Sequence, residues 1–146
     1  MATESQILAE AELGIDYRYP TGTVFSSSST SADYFRAKLA GRAREVLAVA
    51  FLNNQHQLLA YEEIFHGSIA CVEVHLREIV RCALQYNAAA IILSHNHPSY
   101  MPNPSQADIG ITARLKQALE LVGMRVIDHL IVAGNDVVSL AERGHM

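Results

Sequence analysis

Apolar positions recur along this chain at several spacings, and each spacing points to a different kind of element. Between Glu45 and Leu52, the residues Val46, Leu47, Val49, Phe51 and Leu52 leave neither face polar. That run reads as a strand covered on both sides, central in a sheet. Asn53-Asn54 marks a turn, and Leu58 to Phe65 reads as a second strand pairing with the first in a hairpin. From about Val74 to Tyr86, the residues Leu76, Ile79, Val80, Ala83 and Leu84 form an apolar stripe at helical spacing, with Asn87 placed to cap its carboxyl end. Ala89 to Ser94 is then a short, fully buried strand that delivers His95 to its end. Upstream, Ser31 is placed to cap a helix with Phe35 and Leu39 on one face, stopping near Gly41. Downstream, Pro98, Pro102 and Pro104 keep the chain out of regular structure until Ser105 opens a long helix to about Val122, ended by Gly123. Met124 to Val132 and Asp136 to Leu140 make a closing strand pair about the turn at Gly134-Asn135.

Helices thus sit between strands, while two strand pairs are hairpins. The order predicts an α/β fold, a three-layer sandwich around a mixed sheet. Residues 1–30, with Pro20, Gly22 and the serine run 26–29, read as a flexible amino-terminal arm, and residues 31–146 as the folded domain. A chain of 146 residues, 50% hydrophobic and 18% charged, fits one globular domain.

Charge narrows the function. The net charge is −4 and no lysine-arginine block stands out, so tight binding to nucleic acid by phosphate neutralisation is not favoured. Met1 to Asp16 lacks the layout of a signal peptide, and apolar runs such as Ala88 to Leu93 are far too short to span a bilayer. The expectation is a cytoplasmic protein without a membrane segment. Cys71 and Cys82 read as reduced core thiols.

The chemistry concentrates in His95-Asn96-His97-Pro98 and Ser105-Gln106-Ala107-Asp108. Residues two apart on an extended chain point the same way, so both imidazoles can aim at one ion while Asn96 faces away. Asp108 follows Ser105 by one helical turn, near the positive end of the helix dipole. Two histidines, an aspartate and a water would complete a tetrahedral shell, the arrangement of a catalytic zinc with one open position. Ser105 and Asp108 also have the spacing of a capping box, and the two roles are compatible. A hydrolytic site needs a base as well. Glu45, just before a buried strand, is the best candidate, with Glu62 and Glu63 on the next strand competing.

From about Ser31 onward, the chain resembles the RadC-type members of the JAB/MPN (JAMM) metal-dependent hydrolases. The resemblance rests on Glu45-Val46, Phe65-His66-Gly67-Ser68, Val74-His75-Leu76-Arg77-Glu78, Asn87 to Ala90, the His95 to Asp108 motif and Asp128-His129. It implies a cytidine-deaminase-like fold in a stand-alone form without the helix-hairpin-helix domain of longer RadC proteins. It implies zinc-dependent cleavage of a peptide or isopeptide bond in a protein or peptide substrate. Zinc would be held by His95, His97 and Asp108, Glu45 would deprotonate the water, and Ser105 would donate to the oxyanion. The resemblance is what selects Glu45 over Glu62 and Glu63. Two positions depart from it. Tyr100 stands where this branch usually has glycine, so the loop is expected to lose a φ > 0 option and to become bulkier over the zinc. Leu76 replaces a usual proline.

Asp128-His129 is expected as a packed hydrogen-bonded pair, with support of the metal site as its alternative role. His75 reads as structural, His56, His66 and His145 as surface residues, and Arg77 and Glu78 as partners in local ion pairs. Two other functions compete. Zinc nucleobase deamination needs a glutamate two residues after the ligand histidine and a Pro-Cys-x-x-Cys element, and this chain has neither. A non-catalytic or DNA-repair-associated RadC-like interaction module is the alternative, but a scaffold would not require Glu45.

Overall fold

Seven consecutive buried residues make β1 (Val46–Leu52), and this strand organises everything around it. The structure, a computed structural model, describes residues 16–67 and 72–146 together with 3, 6, 7 and 14, the side chains of 72–75 apart. Helix α1 (Ser28–Leu39) precedes β1, which turns into β2 (Leu58–His66). Helix α2 (Val72–Gln85), β3 (Ala90–Asn96), α3 (Gln106–Glu120), β4 (Arg125–Ala133) and β5 (Asp136–Ser139) follow. Among the described residues the strands form one sheet in the order β2-β1-β3-β4-β5. Both expected hairpins are present, β1 with β2 and β4 with β5, each antiparallel. β3 runs antiparallel to β1 but parallel to β4, so the sheet is mixed. The fold is α/β, as the order of elements predicts.

Alternation along the inner strands sorts their side chains into two cores. Leu47, Val49, Phe51, Ile91 and Leu93 pack under α2 and α3 with Ile79, Ala83, Ile111, Leu115 and Leu119. On the other face, Val46, Ala48, Ala50, Leu52, Ile92 and Leu130 pack under α1 with Tyr34, Phe35 and Leu39. Each fully buried Val, Leu, Ile or Phe among them contributes roughly 1.5–3 kcal/mol. The result is three layers: helix, sheet, helices.

The start of α1 differs from expectation. Its cap is Ser27, whose hydroxyl accepts from the Thr30 amide at 3.2 Å, while Ser31 lies buried inside the helix. Several serines in the run 26–31 offer the same capping oxygen, so local chemistry does not choose among them. Burial does: Phe25 is in the core, the backbone of Val24 bridges to Gln57, and Tyr19 and Phe25 stack edge-on against Tyr34. Asp16 also pairs with Lys38 at 2.6 Å. Tyr19, Val24 and Phe25 thus tie the chain ahead of α1 to the domain, and helix α1 runs through residue 31.

Asn87 caps α2 as expected, with φ at 52° and the Ala88 amide reaching back to the Ala83 carbonyl. Glu78 forms a local ion pair, as expected, with Arg81 one turn on. Cys82 is a free, buried thiol, as expected for a core cysteine, whereas Cys71 and the side chain of His75 lie outside the described residues. Among the described residues, no helix is long and apolar enough to cross a membrane.

Candidate metal centre

β3 is buried along its whole length, which fixes the direction of His95 at its far end. Leu93 lies on the face toward α3, and His95, two residues on, shares that face. The pairing with β4 continues one residue past the strand, because the His97 amide donates to the Val132 carbonyl at 2.9 Å. Both rings consequently point to one side, and their Nε2 atoms lie 2.9 Å apart. Asn96 faces the other way. Its side chain accepts from the Val46 amide at 2.7 Å and donates to the Arg44 carbonyl at 3.0 Å, holding the backbone on both sides of Glu45.

The third group arrives from α3. Ser105 caps this helix, its hydroxyl accepting from the Asp108 amide at 3.0 Å while the Ser105 amide donates to Asp108 Oδ2 at 2.7 Å. The capping box is complete, and it aims the carboxylate. With Oδ2 held, Oδ1 lies 3.0 Å from His95 Nε2, and Oδ2 lies 3.4 Å from His97 Nε2. Glu45 enters from the start of β1, with Oε1 at 4.0 Å from His95 Nε2 and a side chain 26% exposed. Ser105 is exposed at the rim, so its hydroxyl proton faces outward.

Glu62 and Glu63 are engaged elsewhere. The Tyr86 hydroxyl donates to Glu62, and Glu63 accepts from Arg42 at 2.8 Å and from Tyr61 at 2.9 Å.

Two overlapping triads share the histidines. Glu45, His95 and His97 offer ligand atoms within 4.8 Å of one another and could hold a metal ion. Asp108 stands close to both histidines, with Oδ1 3.0 Å from His95 Nε2 and Oδ2 3.4 Å from His97 Nε2, while the two Nε2 atoms are 2.9 Å apart. Donors at zinc bond lengths in a tetrahedral shell are separated by about 3.3 Å, so this set needs little adjustment to share an ion. Asp108 Oδ1 is also buried, and although it faces His95 Nε2 at 3.0 Å it makes no well-directed hydrogen bond. An ionised oxygen left poorly paired inside a protein is costly, and a cation at that point removes the cost. The residues fit a divalent metal.

Electrostatics agrees. Burial opposes ionisation of Asp108, but the imidazoles of His95 and His97 and the Ser105 amide outweigh it and hold the carboxyl well below the usual range. The same carboxylate, aided by the Met101 carbonyl at 2.7 Å from Nδ1, raises the pKa of His97 against its partial burial. Without a metal, a proton on His97 is the cation this site attracts.

Behind His95 stand residues whose contact with it the one-dimensional pattern does not reveal. His95 Nδ1 lies 2.7 Å from His129 Nε2, and His129 Nδ1 lies 2.5 Å from Thr112 Oγ1. Burial pushes the His129 imidazole well below the usual histidine range. Asp128 and His129 form the packed, hydrogen-bonded pair expected, joined through the His129 backbone amide. Asp128 accepts from the His129 backbone amide, from Ser139 and from the Ala141 amide, while the His129 ring turns to His95. The parallel register, which sets His129 beside Leu93, explains the reach.

His66 and His145 are exposed as expected, whereas His56 is half-buried in a left-handed turn. Tyr100 overturns the expectation for its loop. It adopts φ of 61° despite its side chain, and its amide donates to the His97 carbonyl. Its ring rests against Gly134 at the β4–β5 turn, where an added Cβ would come within 2.9 Å of it.

The family model for the RadC-like JAB domain matches residues 25–145. This chain belongs to that family. The RadC-like match begins at Phe25, the residue that enters the core ahead of α1. A UPF0758 protein of Vibrio cholerae is 48% identical over 143 residues, 98% of this chain and 90% of that protein. The UPF0758 protein YfjY of Escherichia coli K12 is 53% identical over 124 residues, 85% of this chain and 78% of that protein. A UPF0758 protein of Cellvibrio japonicus is 52% identical over 138 residues, 94% of this chain, and the chain spans 62% of that relative's length.

Proposed function

We propose that this RadC-like JAB protein is a zinc-dependent hydrolase of the JAMM type, cleaving a peptide or isopeptide bond in a protein or peptide substrate. One observation carries the reading: His95 Nε2, His97 Nε2 and the buried Asp108 carboxylate converge within 3.4 Å of one another, beside the separate, partly exposed carboxylate of Glu45. His95, His97 and Asp108 would hold the metal. Zinc bound there would supply Lewis acidity, acidifying water and polarising a carbonyl. Glu45, partly exposed and 4.0 Å from His95 Nε2, would take the proton from the attacking water and pass it to the leaving amine. Ser105 would donate its outward-facing hydroxyl to the oxyanion of the tetrahedral intermediate, a contribution of roughly 3–4 kcal/mol to the barrier in comparable sites.

Elemental analysis of the purified protein should find zinc. Incubation with a peptide library from digested cell lysate should generate new amino termini, suppressed by chelation. Glu45→Gln should keep the zinc and abolish the cleavage. A protein that takes up no zinc, or a Glu45→Gln variant that cleaves like wild type, overturns the proposal.

A further inference from the structure

The carbonyl of Asp108 fixes the direction of every proton between itself and His95. Thr112 Oγ1 lies 2.7 Å from that carbonyl oxygen, which has no hydrogen to give, so the hydroxyl donates. A threonine one helical turn beyond a carbonyl commonly bonds back in this way. Its single hydrogen is then spent, and toward His129 Nδ1 at 2.5 Å the hydroxyl oxygen accepts. His129 therefore carries its proton on Nδ1. The ring is fully buried, which keeps it neutral, so its Nε2 is bare and accepts from His95 Nδ1 at 2.7 Å. His95 in turn is protonated on Nδ1 and offers a lone pair on Nε2.

We propose that Thr112 and His129 are positioning residues, a proton-ordered relay that locks His95 into the tautomer able to ligate a divalent metal through Nε2. The proposal rests on the metal reading of His95, His97 and Asp108, and it adds what makes His95 ready for the ion. The reverse order fails at both ends. A proton on His129 Nε2 would force the His95 proton onto the ligating nitrogen. It would also draw the Thr112 hydrogen away from the Asp108 carbonyl. The relay begins on the backbone of one metal-binding residue and ends on the ring of another, so setting Asp108 in its helix also sets the protonation of His95. A neutral imidazole behind His95, in place of a carboxylate, leaves Asp108 as the only charge among the three metal-binding groups. The bound ion retains more of its own charge for polarising a substrate.

Two-bond proton–nitrogen spectra of histidine-labelled protein read the tautomers directly, zinc-loaded and metal-free at alkaline pH. His95 and His129 should both be protonated on Nδ1. Thr112→Val keeps the shape but loses the hydroxyl. It should mix or reverse the His129 tautomer and weaken zinc binding, in competition with a chromophoric chelator, by about 10–100-fold. Thr112→Ser should restore both. Should Thr112→Val fail to fold, His129→Gln, which keeps an acceptor for His95, should bind zinc more tightly than His129→Phe. Wild-type His129 protonated on Nε2, or folded Thr112→Val with unchanged zinc affinity, overturns the relay and leaves the metal reading standing. Assigned tautomers in a wild-type protein that binds no zinc overturn the metal reading, and with it the purpose of the relay.

Discussion

The two sides of the metal centre are built on opposite terms. The inner wall, made of His95, Asp108, Thr112 and His129, is at most 1% exposed. The outer rim holds His97 with a side chain 15% exposed, Glu45 at 26%, the Ser105 hydroxyl and Tyr100 at 62%. Inside, the proposed relay gives each hydrogen one place to go, starting from the Asp108 carbonyl. At the rim, protons can be exchanged with water. Groups that must never change their protonation are inside. Groups that would meet substrate, hand on a proton or yield one to an incoming metal sit where solvent reaches them.

The largest expected effect comes from breaking the wall at Asp108. Asp108→Ala removes the buried Oδ1 and the return half of the capping box together. Bound zinc should fall from about one per chain to near zero after gel filtration. The metal-free protein should lose about 1 kcal/mol from the cap. Glu45→Ala, at the rim, should retain the metal. The opposite result, zinc kept without Asp108 and lost without Glu45, would assign the ion to the triad with Glu45 and reverse the comparison.

A smaller effect separates the metal-free and loaded states by pH. The His97 pKa is raised by Asp108, so the stability it contributes is present below its unfolded value and is lost as pH climbs through the folded one. The depressed Asp108 carboxyl contributes stability above its unfolded value and loses it as pH falls. Metal-free protein should therefore gain most from this pair between about pH 4 and about pH 6.5, the ordinary values of the two groups. Zinc must displace the His97 proton, so its affinity should rise with pH, by up to about tenfold per unit below the His97 pKa. Above that window the melting temperature of the metal-free protein should fall as pH rises, while that of the zinc-loaded protein stays level. Parallel slopes would mean that His97 does not exchange its proton for the metal.

The same division decides how much could be read from the chain itself. β1 and β3 were legible because apolar runs with neither face polar have few other interpretations, and the stripe of α2 because its spacing repeats. His95, His97, Ser105 and Asp108 were legible because alternation on a strand and one turn of helix are local rules. Thr112 was not, and His129 was legible only as an alternative role of the Asp128-His129 pair. Their meeting depends on a parallel pairing that brings His129 to a histidine 34 positions away, and no local rule supplies that register. The start of α1 was missed for a related reason. Neighbouring serines look equivalent until the burial of Phe25 selects one of them.

The smallest effect tests the outermost point of the rim. Tyr100 holds a left-handed conformation that costs an ordinary residue roughly 1–2 kcal/mol. Its ring lies where a Cβ on Gly134, itself at φ +62°, would meet it at 2.9 Å. Tyr100→Gly relieves the backbone but frees the unfolded chain by about 0.5–1 kcal/mol, so stability should barely move. Gly134→Ala pays for both the φ and the ring, and should lower the melting temperature by about 2–4 °C per kcal/mol lost. In the double variant the ring is gone and only the φ cost remains, so the alanine should be less damaging there than in wild type. If the alanine costs the same in both backgrounds, the ring is not resting on the turn. Tyr100 would then be free to swing over the metal, and the rim would be as mobile as the wall is fixed.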